Sequence, residues 1–125
     1  MRYLLLLLLC VTTFSFATPV NFSDPQKAIF VKKTAATVTI TVKSNPTTGY
    51  SWFLKKYNHA LIQPISRNYV APSQKLPGAG GYEVWTFKIN STAFDVPQWL
   101  AISLAYARPW SPQSAKVQTF TVVTQ

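Results

Sequence analysis

Few residues of this 125-residue chain could do covalent or acid–base chemistry. One histidine (His59), one cysteine (Cys10) and three carboxylates (Asp24, Glu83 and Asp95) are the whole stock. General acid–base and nucleophilic mechanisms need several such groups brought together, and metals usually take three or four ligands. His59 has no carboxylate or nucleophile near it in sequence, and no cofactor or metal is expected. The inventory argues against an enzyme. It suits recognition instead, and the side chains best placed for that fall in three segments.

The first segment, Ser44-Asn45-Pro46-Thr47-Thr48-Gly49-Tyr50, is a stiff turn. Asn45 can bond its own backbone, Pro46 fixes φ and Gly49 can take positive φ. Two β-branched threonines at the tip have little χ1 freedom to lose on docking. An ordinary hairpin connection would use the same residue types. The second segment, Leu76-Pro77-Gly78-Ala79-Gly80-Gly81, has three glycines in four positions, which lets a partner surface approach the backbone. A P-loop is excluded, because neither a Gly-Lys-Ser/Thr ending nor a helix follows. A flexible surface loop is the plain alternative. The third, Ala107-Arg108-Pro109-Trp110-Ser111-Pro112, sets Trp110 among prolines, where it cannot join a central strand. Trp110 either folds back as a lid on the core or stands out as an anchor of the kind enriched in binding hot spots.

These segments need a framework, and the rest of the chain reads as strands. Residues 37–43 alternate Val38, Ile40 and Val42 with threonines, the period-2 pattern of a half-buried strand. Residues 82–90 place Trp85, Phe87 and Ile89 on one face. Residues 98–107 do the same with Leu100, Ile102, Leu104 and Tyr106, and residues 117–123 turn Phe120 and Val122 inward. Weaker patterns cover 28–33, 50–54 and 61–70. Prolines 64, 72, 77, 97, 109 and 112 confine any helix to a turn or so. About seven short strands predict an all-β, immunoglobulin-like sandwich. If strand direction alternates, the connections after the second, fourth and sixth strands share one end. Those connections are the three segments, so they should form one contiguous and largely rigid edge.

The amino terminus is set apart from this domain. Arg2, an apolar stretch at 4–9 with Val11, and Ser15-Phe16-Ala17 have the layout of a secretory signal peptide, giving a leader at 1–17 and a domain at 18–125. The apolar run falls well short of the roughly 20 residues a membrane span needs. A lipoprotein would keep Cys10, but Leu9 stands before it where a small residue is expected. With cleavage after Ala17 the domain has no cysteine, hence no disulfide, and packing alone must hold it. Export leads to the periplasm, a vesicle or the medium. At 48% apolar and 12% charged residues the chain can build a core and is not disordered. The net charge of +9, or +8 without Arg2, invites a nucleic-acid reading. The lysines are scattered, however, with Lys32-Lys33 and Lys55-Lys56 the only doublets, and an exported chain meets little nucleic acid. Exposed Trp and Tyr also suit a secreted sandwich that binds carbohydrate or a cell surface. Asn21-Phe22-Ser23 and Asn90-Ser91-Thr92 fit the glycosylation sequon.

Asn45-Pro46-Thr47-Thr48-Gly49-Tyr50, Gly78-Ala79-Gly80-Gly81 and Arg108-Pro109-Trp110, in this order and spacing, resemble the three loop motifs of the chagasin family of cysteine-protease inhibitors. Ser44, Trp52, Lys75-Leu76, Glu83, Tyr106 and Phe120-Thr121-Val122 extend the likeness over most of the domain. Pro77, just before the glycines, is a small departure. The resemblance implies an immunoglobulin-like sandwich that inhibits papain-family proteases, such as cathepsin L-like enzymes, reversibly and tightly. It further implies that Thr47 and Thr48 lie nearest the catalytic Cys and His, with the glycine loop on one wall of the cleft and Arg108 to Trp110 on the other. The expected state is a monomer that touches neither nucleic acid nor, once trimmed, a membrane.

Overall fold

The computed structural model describes residues 20–72 and 77–125. The leader at 1–17 and Lys75-Leu76 lie outside the described residues. Seven strands are present among them: β1 (Ile29–Val31), β2 (Thr37–Ser44), β3 (Ser51–Lys56), β4 (Ile62–Val70), β5 (Gly81–Ile89), β6 (Trp99–Ala107) and β7 (Lys116–Thr124). The helical segments among the described residues are single 3-10 turns at Pro46–Thr48, Ser91–Phe94 and Pro112–Ser114. Proline opens two of the three, where its fixed φ fits and its missing N–H costs nothing.

The strands form two sheets, ordered β1-β7-β6-β3 and β2-β5-β4, and the architecture is the expected immunoglobulin-like sandwich. Every neighbouring pair is antiparallel except β1 and β7, which run parallel. Alternating direction along the chain requires that exception, since the first and seventh strands then point the same way. It also puts β1 in the sheet of β3, β6 and β7, whereas an immunoglobulin constant domain keeps its first strand in the sheet of the second, fourth and fifth.

Inward-facing residues follow the period-2 reading. Val38, Ile40 and Val42 of β2 and Trp85, Phe87 and Ile89 of β5 pack against Leu100, Ile102 and Leu104 of β6 and Phe120 and Val122 of β7. Full burial of each such aliphatic or aromatic side chain contributes about 1.5–3 kcal/mol, so this cluster can hold the fold without a disulfide. Two features of these strands need a physical reason. Pro64 lies inside β4, tolerated because β4 is an edge strand and its register with β5 shifts between Pro64 and Ser66. Glu83 continues the inward face of β5 and is completely buried, its Oε1 accepting from Arg67 Nε on β4.

Candidate functional site

Connectivity determines how the three segments meet. The segment at 45–50 joins β2 in one sheet to β3 in the other, so it is a crossover between sheets and not a hairpin. The second segment closes the β4–β5 hairpin of the three-stranded sheet, and the third closes the β6–β7 hairpin of the four-stranded sheet. A central crossover is thus flanked by one hairpin from each sheet. All three lie at the same end of the sandwich, as alternation of strand direction predicts.

The crossover is held from within. Pro46–Thr48 makes a 3-10 turn, with Thr48 N–H donating to Asn45 O (3.2 Å) and Gly49 N–H to Pro46 O (3.1 Å). Gly49 closes it at φ 79°, where a side chain would be strained. The side chain of Asn45 does not bond its own backbone, as the sequence suggested. Its Oδ1 accepts from Thr47 Oγ1 (2.6 Å) and its Nδ2 donates to Gly78 O (3.2 Å), linking the first segment to the second. Thr48 Oγ1 donates to Asn45 O (2.7 Å). Both threonine hydroxyl protons are therefore used internally, and what the tip offers outward is oxygen lone pairs.

The chain's four glycines all fall in the first two segments, but they do different things. Gly78 takes φ 77° and has open space around it, so it can present backbone to a partner as the sequence suggested. Gly80 and Gly81 serve the chain's own packing. A Cβ on Gly80 would lie 3.1 Å from Ser44 O and 3.2 Å from Asn45 Cβ, and one on Gly81 would collide with the Val70 carbonyl oxygen. Ala79, between Gly78 and Gly80, is half-buried.

In the third segment Trp110 is 73% exposed, which excludes the lid on the core. One edge of its ring rests on Gly49, where a Cβ would be 3.3 Å away. Pro109 is exposed beside it. Arg108 turns back on the first segment: its guanidinium lies 4.8 Å from the Tyr50 ring centre, and Nε donates to Thr48 O (3.4 Å). Arg108 thus positions the crossover, which the sequence alone did not indicate.

Beneath these contacts runs an aromatic ladder. Tyr50 stacks on Tyr106 (5.2 Å between centroids), Tyr106 lies against Trp52 (4.8 Å), and Trp52 Nε1 donates to Lys43 O (2.8 Å). Asn45 N–H donates to Tyr106 Oη (3.4 Å). The i, i+2 spacing of Tyr50 and Trp52 and the pairing of Trp52 with Tyr106 bring the three rings onto one face. Trp52 and Tyr106 are supports whose function only the fold reveals. Among the described residues no three His, Cys, Asp or Glu side chains come together. The edge offers hydroxyl oxygens, exposed backbone and one large aromatic ring, the equipment of docking.

Comparison with known proteins agrees with this geometry. The Chagasin family peptidase inhibitor I42 model matches residues 32–123. Chagasin of Trypanosoma cruzi is 33% identical over 89 residues, covering 68% of this chain and 76% of chagasin. The crystal structure of the cysteine protease inhibitor EhICP2 from Entamoeba histolytica shares the fold at a TM-score of 0.61 and 19% identity, covering 78% of this chain and 86% of that one. The solution structure of Amebosin gives a TM-score of 0.57 at 27% identity, over 78% and 88% of the two chains. A family match that spans all three segments, on a sandwich that gathers them at one end, shows that the chain belongs to the chagasin family of peptidase inhibitors.

Proposed function

We propose that this inhibitor blocks papain-family cysteine proteases, cathepsin L-like enzymes among them, by wedging residues 45–50 into the active-site cleft. The observation that carries the reading is the three-part edge, a narrow central crossover with one hairpin on each flank. A cleft has a floor and two walls, and the edge has one element for each. Thr47 and Thr48 meet the floor, where a thiolate and an imidazolium stand. With their protons committed to Asn45, the hydroxyl oxygens accept from the imidazolium N–H. Gly78 and Ala79 lie on one wall, and Pro109 and Trp110 on the other. The 3-10 turn is not an extended strand, so it presents no peptide bond in a cleavable pose, and the inhibitor is not consumed. Because the segments are already bonded to one another, little ordering entropy is lost on docking, which favours tight and reversible binding.

Titration of residues 18–125 against papain and a cathepsin L-like enzyme with a fluorogenic peptide tests this directly. Full inhibition with an intact inhibitor chain is expected. No inhibition at micromolar concentration, or cleavage within 45–50 in step with recovery of activity, would sink it. Asn45→Ala, which removes the link to Gly78 and the acceptor for Thr47, should raise the inhibition constant about tenfold by loosening the tip. Its melting temperature should stay close to the parent's, because Asn45 lies outside the core.

We infer a site of action outside the cytosol, on the pattern of Arg2, the apolar run and Ser15-Phe16-Ala17, and propose that the inhibitor acts there as a monomer. Protein recovered from the periplasm or medium should begin at Thr18. Recovery with Met1 still attached would contradict export by this route, and light scattering at a dimer mass would contradict the monomer.

A further inference from the structure

The chain enters the sandwich beside the inhibitory edge. Ser23 N–H donates to Thr41 O (2.8 Å) and Ser23 Oγ accepts from Thr41 N–H (2.9 Å), which fastens the segment to the open side of β2. This lays Phe22, which precedes the residues of the family match, edge-on against Tyr82 at 6.3 Å and 85°. Lys43, the register partner of Tyr82, holds its Nζ 5.3 Å from the centre of the Phe22 ring. Phe22, Lys43, Asn45, Gly80, Gly81 and Tyr106 line an open concavity of ≈ 470 Å³ between the base of the first segment and the second. A protease wall that reaches past Gly78 and Ala79 meets this concavity next.

Its charge is one-sided. Lys43 has no ion-pair partner among the described residues. Of the three acidic side chains, Glu83 is buried against Arg67, and Asp95 is on the β5–β6 connection at the opposite end. Asp24 lies beyond Ser23, further from the edge, with Oδ1 accepting from Gln26 N–H (2.9 Å). An ammonium held over an aromatic face has already given up part of its freedom, so a carboxylate meeting it costs less ordering than at a free lysine.

We propose that Phe22 and Lys43 form a fourth contact element, which seats an acidic side chain from the protease wall facing the second segment. This rests on the protease-inhibitor reading of the edge. The element selects among papain-family enzymes by the charge of that wall, since complementary charge acts mainly on association rate and specificity.

Association rates and inhibition constants of the parent, K43E, K43Q, F22A and K88E, measured on papain and a cathepsin L-like enzyme at low and high salt, test it. Lys88 lies towards the other end of β5 and controls for net charge. For the enzyme that the parent binds more tightly, K43E should associate about tenfold more slowly at low salt, and the gap should close at high salt. K43Q should fall between, F22A should weaken inhibition at both salt levels, and K88E should stay near the parent. Equal effects of K43E and K88E would overturn the proposal. So would a slow K43E beside an unchanged F22A, because charge at a distance would then suffice. If the parent inhibits neither enzyme, the reading of the whole edge fails, an outcome visible before any variant is compared.

Discussion

Replacing Trp110 by alanine is expected to weaken inhibition of a papain-family protease about thirtyfold while leaving the fold intact, because loss of a tryptophan anchor commonly costs about 2 kcal/mol or more. Two observations make this the largest single effect at the edge. The ring is 73% exposed, so most of its apolar surface is uncovered in the free inhibitor and available to the partner. It also rests on Gly49, so its removal frees the end of the crossover as well. The loss should appear mainly as faster dissociation, since mutations within one interface change the off-rate more than the on-rate. Trp110→Phe should keep part of the affinity. Stopped-flow rates and a melting curve check the claim. An inhibition constant within about threefold of the parent would show that the ring does not meet the protease.

Arg67→Ala is expected to destabilise the fold by about 3 kcal/mol, the low end of the cost of breaking a buried ion pair. Glu83 is fully buried and its Oε2 has no hydrogen-bond partner, so the contact with Arg67 is what compensates its charge. The low end applies because the Arg67 side chain is 47% exposed and partly solvated. Arg67 also stacks over Trp85, 5.7 Å from the ring centre, so its alkyl stem covers core surface that alanine would open. For a domain of this size the melting temperature should fall by roughly 12 °C or more. Glu83→Met in the Arg67→Ala background should recover most of the loss, since an apolar side chain of similar volume needs no counter-charge. Urea unfolding of the two single variants and the double closes the cycle. A loss below about 1 kcal/mol for Arg67→Ala would mean the pair behaves as a solvated surface bridge.

Much of the fold was legible because strands with one buried face record it as alternation. Val38, Ile40 and Val42, or Leu100, Ile102 and Leu104, could face only one way. Glu83 was harder, since a carboxylate at an inward position reads as a break in the pattern until its partner on β4 is known. The 61–70 strand was only weakly legible because Pro64 argues against a strand unless it is at an edge with shifted register, and the structure supplies both conditions. At the site, the segments themselves could be named from their residues, but their division of labour could not. Gly80 and Gly81 read only as openings for a partner, whereas a Cβ at either would also meet the chain's own Ser44, Asn45 or Val70. Arg108 read only as a contact residue, and its packing on Tyr50 and Thr48 could not be seen in the sequence.

By itself the sequence determined the shortage of catalytic groups, the all-β class, the three unusual loop segments and, through strand parity, their shared end. Each is a local or periodic property, written in consecutive residues. Only the tertiary structure decided that β1 joins β7, that the first segment crosses between sheets, that Trp110 stands out on Gly49, and that Phe22 lies against Lys43. These depend on which distant strands pair and on which side chain fills the space beside a glycine. Such contacts are settled by packing across the sandwich, and no pattern within a single strand encodes them.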